Sequence, residues 1–311
     1  MTTSSSSGGA QAPSLRRSDL SALYHNASDV SAAGQKSTKR LVQAELWTLV
    51  LAAAAAVTRV PVGSARIDVL AIVSGVMFAL SLICHAERRR RKPEEAWYGG
   101  RAAAESVKTL AWRYAVGGDP FPTTSTDRDA AGAYLERLKK ILDELKGVGL
   151  ASTPPDGSDL TPAMKALRAA SFDDRRAAYE HDRIGSQITW YSTRGDEHEK
   201  RARWWTRVTV LSSAAGLAAA LVRTFGGIEF DLLGVFAACA SAAIAWNQLN
   251  QNRVLVAAYR VTASELTNVR DLLEFTDEVD WPTFVSDAED AISREHTLWL
   301  ARHGHPSLGR G

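Results

Sequence analysis

The sequence predicts an all-α integral membrane protein, with two transmembrane helical hairpins (four spans) and a cytoplasmic bundle of extended amphipathic helices. Three observations lead there. Four runs contain no Asp, Glu, Lys or Arg: Leu46–Thr58, Val69–Ala86, Val208–Val222 and Leu232–Trp246. They fall in two pairs, joined by "RVPVGSARID" and "RTFGGIEFD", where Pro61, Gly63, Gly226 and Gly227 are turn residues. Basic residues gather on the outer side of each pair and are sparse in the connections.

Taken in chain order, residues 1–36 are rich in Ser, Gly and Ala, hold no apolar run, and read as a disordered tail. Of the four runs only Val69–Ala86 meets the usual threshold of about 18 residues for a span. The other three are short against a hydrocarbon core of about 30 Å, and length alone leaves them open to a second reading as buried helices of a soluble bundle. Their flanks favour the bilayer. Trp47, Trp204, Trp205 and Trp246 stand at run ends, where amphipathic rings prefer the headgroup level. Arg59 and Arg223 at the far ends can extend outward to water.

Arg88, Arg89, Arg90, Arg91 and Lys92 close the second run. Lys39 and Arg40 precede the first run, Lys200, Arg201, Arg203 and Arg207 precede the third, and Arg253 and Arg260 come after the fourth. Only Arg59, Arg66 and Arg223 lie in the connections. Translocation resists positive charge, so both hairpins insert with their ends inside and both termini cytoplasmic. The arginine block is first a topology determinant, with contact to anionic lipid headgroups as a further role.

The polar segments read as helices. Pro93 opens one that ends near Gly117 and Gly118, with Arg101, Glu105, Lys108 and Trp112 on one face. "AGAYLERLKKILDELKGVGL" carries an apolar stripe of Leu135, Leu138, Ile141, Leu142 and Leu145, and "ASTPPDGSD" is a loop by composition. A long helix then aligns Tyr179, Arg183, Gln187, Trp190, Tyr191 and Arg194 and runs into the third span; Gly185 and Gly195 weaken it locally. Another helix extends beyond the fourth span, and a last one places Val285, Ala288, Ile292, Glu295 and Trp299 on one face. The aromatic-plus-arginine stripes have two readings. One is helix packing with internal ion pairs. The other is a ligand pocket in which Trp190 or Tyr191 stacks on a base and Arg183 holds a phosphate.

Composition narrows the function. Over 311 residues the formal net charge is +2, which gives no global field for nucleic acid. The two cysteines, Cys84 and Cys239, sit far apart in apolar runs, so no disulfide framework or Cys-based metal spacing exists. No phosphate-binding glycine loop, HExxH or GxSxG motif occurs, and the expectation is a protein that is not an enzyme and needs no cofactor or metal. A polar lining for a channel could come from Ser74, Ser81, Ser212, Ser213 and Ser241. Gly75, Ser212, Gly216, Ala220, Cys239 and Ala243 suit close span packing, and Ser212, Gly216 and Ala220 repeat every fourth residue.

"AWYGGRAAAESVKTLAWRYAVGGDPF", directly after a two-span hairpin, resembles the SLATT families, two-transmembrane effector domains associated with bacterial nucleotide-signalling systems. The resemblance rests on Trp97, Arg101, Glu105, Lys108, Trp112, Tyr114, Pro120 and Phe121. The second half resembles another branch of the group, through "YEHDRIGSQITWYSTRG" and "AEDAISREHTLWLARHG". Its positions are Tyr179, Arg183, Gln187, Trp190, Tyr191, Glu289, Glu295 and Trp299.

The chain thus divides into two modules. Residues 37–125 hold the first hairpin with its helix, 126–173 hold cytoplasmic helices and a loop, 174–303 hold the second hairpin with its flanking helices, and 304–311 form a tail. The resemblance implies a bacterial inner-membrane effector of antiviral or conflict defence that permeabilises the membrane. No sensor domain stands in this sequence, so its partners are expected to be the lipid bilayer, further copies of itself, and a separate sensor or nucleotide-signalling protein. A non-conducting membrane scaffold and a soluble helical bundle are the alternatives.

The topology is testable. Cysteines placed at Ser64 or Gly227 should be labelled in intact cells, and cysteines at Ser5 or Ser307 should not. Labelling of the terminal positions in sealed cells overturns the orientation.

Overall fold

The computed structural model describes residues 13–64, 66–144, 158–226, 230 and 232–302, apart from the side chains of 144 and 294–302. Within them the chain is almost wholly helical. A 3₁₀ turn, Arg17–Asp19, precedes α1 (Ala22–Ala55). A two-residue ladder of β1 (Pro61–Val62) and β2 (Ile67–Asp68) leads to α2 (Val69–Arg91) and α3 (Pro93–Val116). Then come α4 (Asp127–Glu144), α5 (Pro162–Arg168) and α6 (Phe172–Ala178). A π-helical segment, Tyr179–Gly185, continues into α7 (Ser186–Gly226). The chain goes on through α8 (Leu232–Leu249), α9 (Asn252–Leu273) and α10 (Trp281–Arg302).

Local chemistry sets these boundaries. The first connection is a β-hairpin pairing Pro61 with Asp68 and Val62 with Ile67. Asp68 caps α2 by accepting from the backbone N–H groups of Leu70 and Ala71, and it also accepts from Val60, so one carboxylate ties the turn to the helix start. At the other end of α2, Lys92 takes the left-handed conformation and Pro93 begins α3. Gln251 stands at φ 47° between α8 and α9, as Lys92 stands at φ 44° between α2 and α3. The second helix of each hairpin thus ends on the same backbone device, which the sequence pattern did not reveal.

The described chain forms two compact units. The first comprises the chain up to Ser31, Tyr98–Tyr191, and the chain from Val261 on. Its core gathers Leu23, Val107, Phe121, Tyr134, Leu138, Met164, Leu167, Tyr179, Trp281 and Val285. The second comprises Ala32–Trp97 and Ser192–Arg260, the two apolar hairpins. There α1 and α2 run antiparallel, with the Ser74 hydroxyl donating to the Ala52 carbonyl at 3.0 Å. α7 and α8 pack likewise, with Trp205 edge-on to Trp246.

Three helices are long and apolar enough to cross a membrane, in the stretches Val69–Arg91, Phe172–Gly226 and Leu232–Leu273, and their most apolar windows are almost entirely unburied. The run Leu46–Thr58 is not among them, because Lys39, Arg40 and Glu45 stand close before it and Arg59 ends it.

Two expectations need correction. The disordered tail expected over residues 1–36 does not extend to 36. α1 starts at Ala22, and Leu15, Leu20, Leu23, Tyr24 and Ala27 are buried in the first unit's core. These apolar side chains are spaced too irregularly to read as a run, and their burial stabilises order there. Residues 1–12, 145–157, among them Leu145 of the expected stripe, and 303–311 lie outside the described part. In α4 the buried stripe is Ala130, Tyr134 and Leu138 at four-residue steps, while Leu135 is exposed. Tyr134 carries the apolar contact that a leucine pattern assigns to Leu135.

Two glycines allow close helix approach. A methyl on Gly34 would lie 2.5 Å from the Trp97 backbone nitrogen and 2.8 Å from the Pro93 carbonyl. One on Gly100 would lie 2.7 Å from the Ser31 nitrogen. The obstructing atoms are backbone and cannot turn aside. Gly34→Ala and Gly100→Ala should each lower the melting temperature in detergent, at a cost of about 1–3 kcal/mol. Gly132→Ala, which meets nothing within 4 Å, should raise it. Equal gains at all three positions would contradict the close approach.

Candidate functional site

The densest polar constellation lies in the first unit. The π-helical segment carries Tyr179 and Arg183, both buried; such segments recur at sites that must aim a side chain. Facing them on α10 is Glu289, with no exposed surface. Arg183 grips it with two donors, Nε to Oε1 at 2.7 Å and Nη2 to Oε2 at 2.5 Å. The Tyr179 hydroxyl donates to Oε1 at 3.1 Å. On α3, Thr109 Oγ1 accepts from Arg183 Nη2 at 3.3 Å and lies 3.4 Å from the Ser293 hydroxyl. Trp112 and Trp281 each meet Tyr179 edge-on. The Trp281 indole donates to the Val116 carbonyl at 2.7 Å.

A buried guanidinium and a buried carboxylate are each costly alone, and a two-pronged pair with further hydrogen bonds is the arrangement that offsets the desolvation. Burial works against the charged form of Arg183, but Glu289 outweighs it and holds the guanidinium still more firmly protonated. Burial, reinforced by Glu289, pushes the Tyr179 phenol well up, so it remains a donor.

Glu105 and Lys108 extend the cluster at 2.6 Å. Burial pushes the Glu105 carboxyl up, but Lys108, then Arg101 and Arg183, more than reverse this and hold it at about 2. The sequence-predicted face of Arg101, Glu105, Lys108 and Trp112 therefore exists, with Lys108 as the close partner of Glu105.

This geometry favours helix packing over the ligand-pocket reading. Arg183 is closed off and already grips a carboxylate, so a phosphate has no path to it. Tyr191 is buried, and Trp190, 37% exposed, meets it edge-on at 5.0 Å. Gln187 is half-buried, and Glu295 and Trp299 lie on α10 with side chains outside the described residues. Trp97 belongs to the second unit, buried under the Lys39 ammonium at 5.8 Å.

The arginine block is locally paired. Arg88 bridges Glu45 at 3.7 Å and Glu94 at 3.2 Å, Arg90 and Arg91 both bind Glu87, and Lys92 binds Glu95 at 2.9 Å. Arg89 donates to His85, whose other ring nitrogen lies 3.0 Å from Glu45. The predicted channel serines do not share one surface of the chain. Ser74 and Ser81 are buried, Ser212 is half-buried, and Ser213 and Ser241 are exposed. A methyl on Gly216 would meet Phe236 at 3.3 Å, so the small-residue stripe of α7 serves contact with α8.

Sequence reasoning missed Arg168, which is buried. It donates to the carbonyls of Tyr114 (3.1 Å), Phe121 (2.7 Å) and Pro122 (3.0 Å), and its guanidinium lies over the Tyr114 ring. One arginine so satisfies a stretch of chain beyond α3 that forms no helix. The signal was its place beside Leu167 and one turn after Met164, on the apolar face of α5.

A helical chain with two apolar hairpins and a second unit built around a polar cluster has the make-up of a membrane-associated protein. The match to known families agrees: the SMODS and SLOG-associating 2TM effector domain 3 covers residues 21–176, and the SMODS and SLOG-associating 2TM effector domain 1 covers residues 179–299. The chain belongs to the SLATT family and carries two of its two-transmembrane effector domains in tandem. No curated protein and no solved structure matches it significantly. SLATT domains are membrane effector domains associated with conflict systems. The buried cluster draws on both matches, with Glu105, Lys108, Thr109 and Trp112 in the first and Tyr179, Arg183 and Glu289 in the second.

Removing one partner strands a buried charge. Arg183→Met or Glu289→Leu alone should destabilise by about 3–5 kcal/mol, whereas the double variant should recover most of that, because the apolar pair leaves no charge behind. Purely additive losses in detergent melts contradict the pairing. Glu105 adds a pH dependence. With its folded-state pKa depressed, its stabilisation is present above its ordinary value of 4.5 and is lost as pH falls toward about 2. Glu105→Gln should flatten that acid limb, and an unchanged limb counts against the Lys108 contact.

Proposed function

We propose that this chain permeabilises the bacterial inner membrane as a pore-forming effector, in antiviral or conflict defence. In this reading both hairpins span the bilayer, four crossings in all, with both termini and the first unit in the cytoplasm. Leu46–Thr58 crosses beside α2, to which it is packed. The observation that carries the reading is the unburied apolar exterior of the second unit. Leu51, Ile72, Val76, Phe78, Leu82, Leu211, Leu217 and Leu221 are exposed, an exterior suited to lipid or to other copies.

Ser74 and Ser81 are buried inside the chain while Ser213 and Ser241 are exposed, so in this reading the pore forms between copies. Ser213 and Ser241, exposed on α7 and α8, are then the polar groups best placed to face it. Such a lumen is weakly selective and closes readily by dewetting. A separate sensor or nucleotide-signalling protein supplies the trigger, and no catalytic step is involved.

Dye-reported depolarisation of cells during triggered expression tests this. Wild type should collapse the membrane potential, and Ser213→Leu with Ser241→Leu should weaken the effect without removing the protein from the membrane fraction. A wild type that never depolarises cells, even with neighbouring partner genes supplied and infection imposed, overturns the pore and leaves a non-conducting membrane scaffold in its place. Release of the protein by alkaline wash would instead indicate the soluble bundle.

A further inference from the structure

A cavity of about 420 Å³ opens in the second unit between α7 and the first turns of α9. Its rim carries Arg203, Arg207 and Arg253 against one acid, Glu199, and its floor is formed by Ala202 and Val256. The wall is built. Arg253 donates to Thr206 at 3.2 Å, which ties α9 to α7. Glu199 is bracketed by Arg203 and Arg260, each at 2.8 Å, so its charge is already answered. Arg207 has no ion pair or hydrogen bond among the described residues, and its exposed guanidinium stands at the rim.

We infer that this cavity binds the phosphate of an anionic phospholipid headgroup. Phosphate is a group that a guanidinium fork recognises well, and Arg207 offers an uncommitted one with Arg203 and Arg253 lining the same cavity. A membrane lipid fits better than a free phosphate because of where the cavity lies. The apolar run of α7 begins at Val208, directly after Arg207, and Trp204, 60% exposed, lies beside Arg203. That is the headgroup level of a spanning helix. The apolar floor offers a glycerol or acyl segment a contact that an inorganic ion cannot use. The inference rests on the apolar run of α7 lying in the bilayer. It is distinct from the Arg88–Lys92 block, whose charges are largely answered by Glu45, Glu87, Glu94 and Glu95.

Full-length protein purified in detergent with equal phosphatidylglycerol and phosphatidylcholine provides the test, with retained lipid read by native mass spectrometry. Wild type should retain phosphatidylglycerol selectively. Arg207→Gln should lower that preference about fivefold, and Arg207→Gln with Arg253→Gln about 25-fold. Arg90→Gln with Arg91→Gln should leave it unchanged, and millimolar inorganic phosphate should not displace the lipid. Equal preference in wild type and the cavity variants overturns the site. So does displacement by inorganic phosphate, which assigns the cavity to a soluble anion, and so does loss of preference only in the Arg90 and Arg91 variant. Alkaline wash of the source membranes before detergent is added keeps the two readings apart: wild type released from membranes fails the membrane reading, whereas retention in the pellet with no lipid preference after purification fails the cavity alone.

Discussion

Arg183 and Glu289 are shut away from water, and a charge in that position is tolerable only when its partner is held in place. That requirement constrains much of the first unit. α10 must present Glu289 to the π-helical segment, which must aim Tyr179 and Arg183 at the same carboxylate. α3 must bring Thr109 within reach of the guanidinium, and Trp112 and Trp281 must close around Tyr179. The extra residue per turn of a π-helix shifts the phase of the helix beyond it, so this segment also sets which face α7 presents at its start.

The cluster also joins parts of the two tandem domains within the first unit. Its residues come from both family matches: the second supplies the charged pair with Tyr179 and Trp281, and the first sets Thr109 and Trp112 against them. Lys92 and Gln251 stand at positive φ in corresponding places, each between the second apolar helix of its half and the helix that follows.

The second unit is held by different physics. Its helices meet through small residues and few polar contacts, such as Ser74 on Ala52 and Gly216 beneath Phe236, while large apolar side chains face outward. In water that exterior would be a liability; in lipid or against other copies it is a matched surface. Polar capacity is concentrated at the run ends, in the Glu45, His85 and Arg88 contacts and in the arginine-rimmed cavity by α9.

Periodicity and charge made the helical class and the paired apolar runs legible without coordinates, because apolar runs, turn residues and basic flanks are local properties of a chain; the family was legible only as a resemblance of motifs. The face of α3 with Glu105 and Lys108, and the buried face of α10 with Val285, Ala288 and Ile292, were legible for the same reason. Order before residue 36 was not, since Leu15, Leu20 and Leu23 acquire meaning only from the core that receives them. Nor was the choice between a ligand-binding and a structural Arg183. A sequence shows that an arginine and a glutamate lie about a hundred residues apart, and only the packing of α10 on the π-helical segment makes them partners. The serines likewise looked equivalent as polar residues in apolar runs, and tertiary contacts divided them into buried and exposed. Local pattern fixes which segments are helical and which faces are apolar; which charges meet, and which polar groups remain for solvent or lipid, depends on contacts between distant segments, and those only the tertiary structure decided.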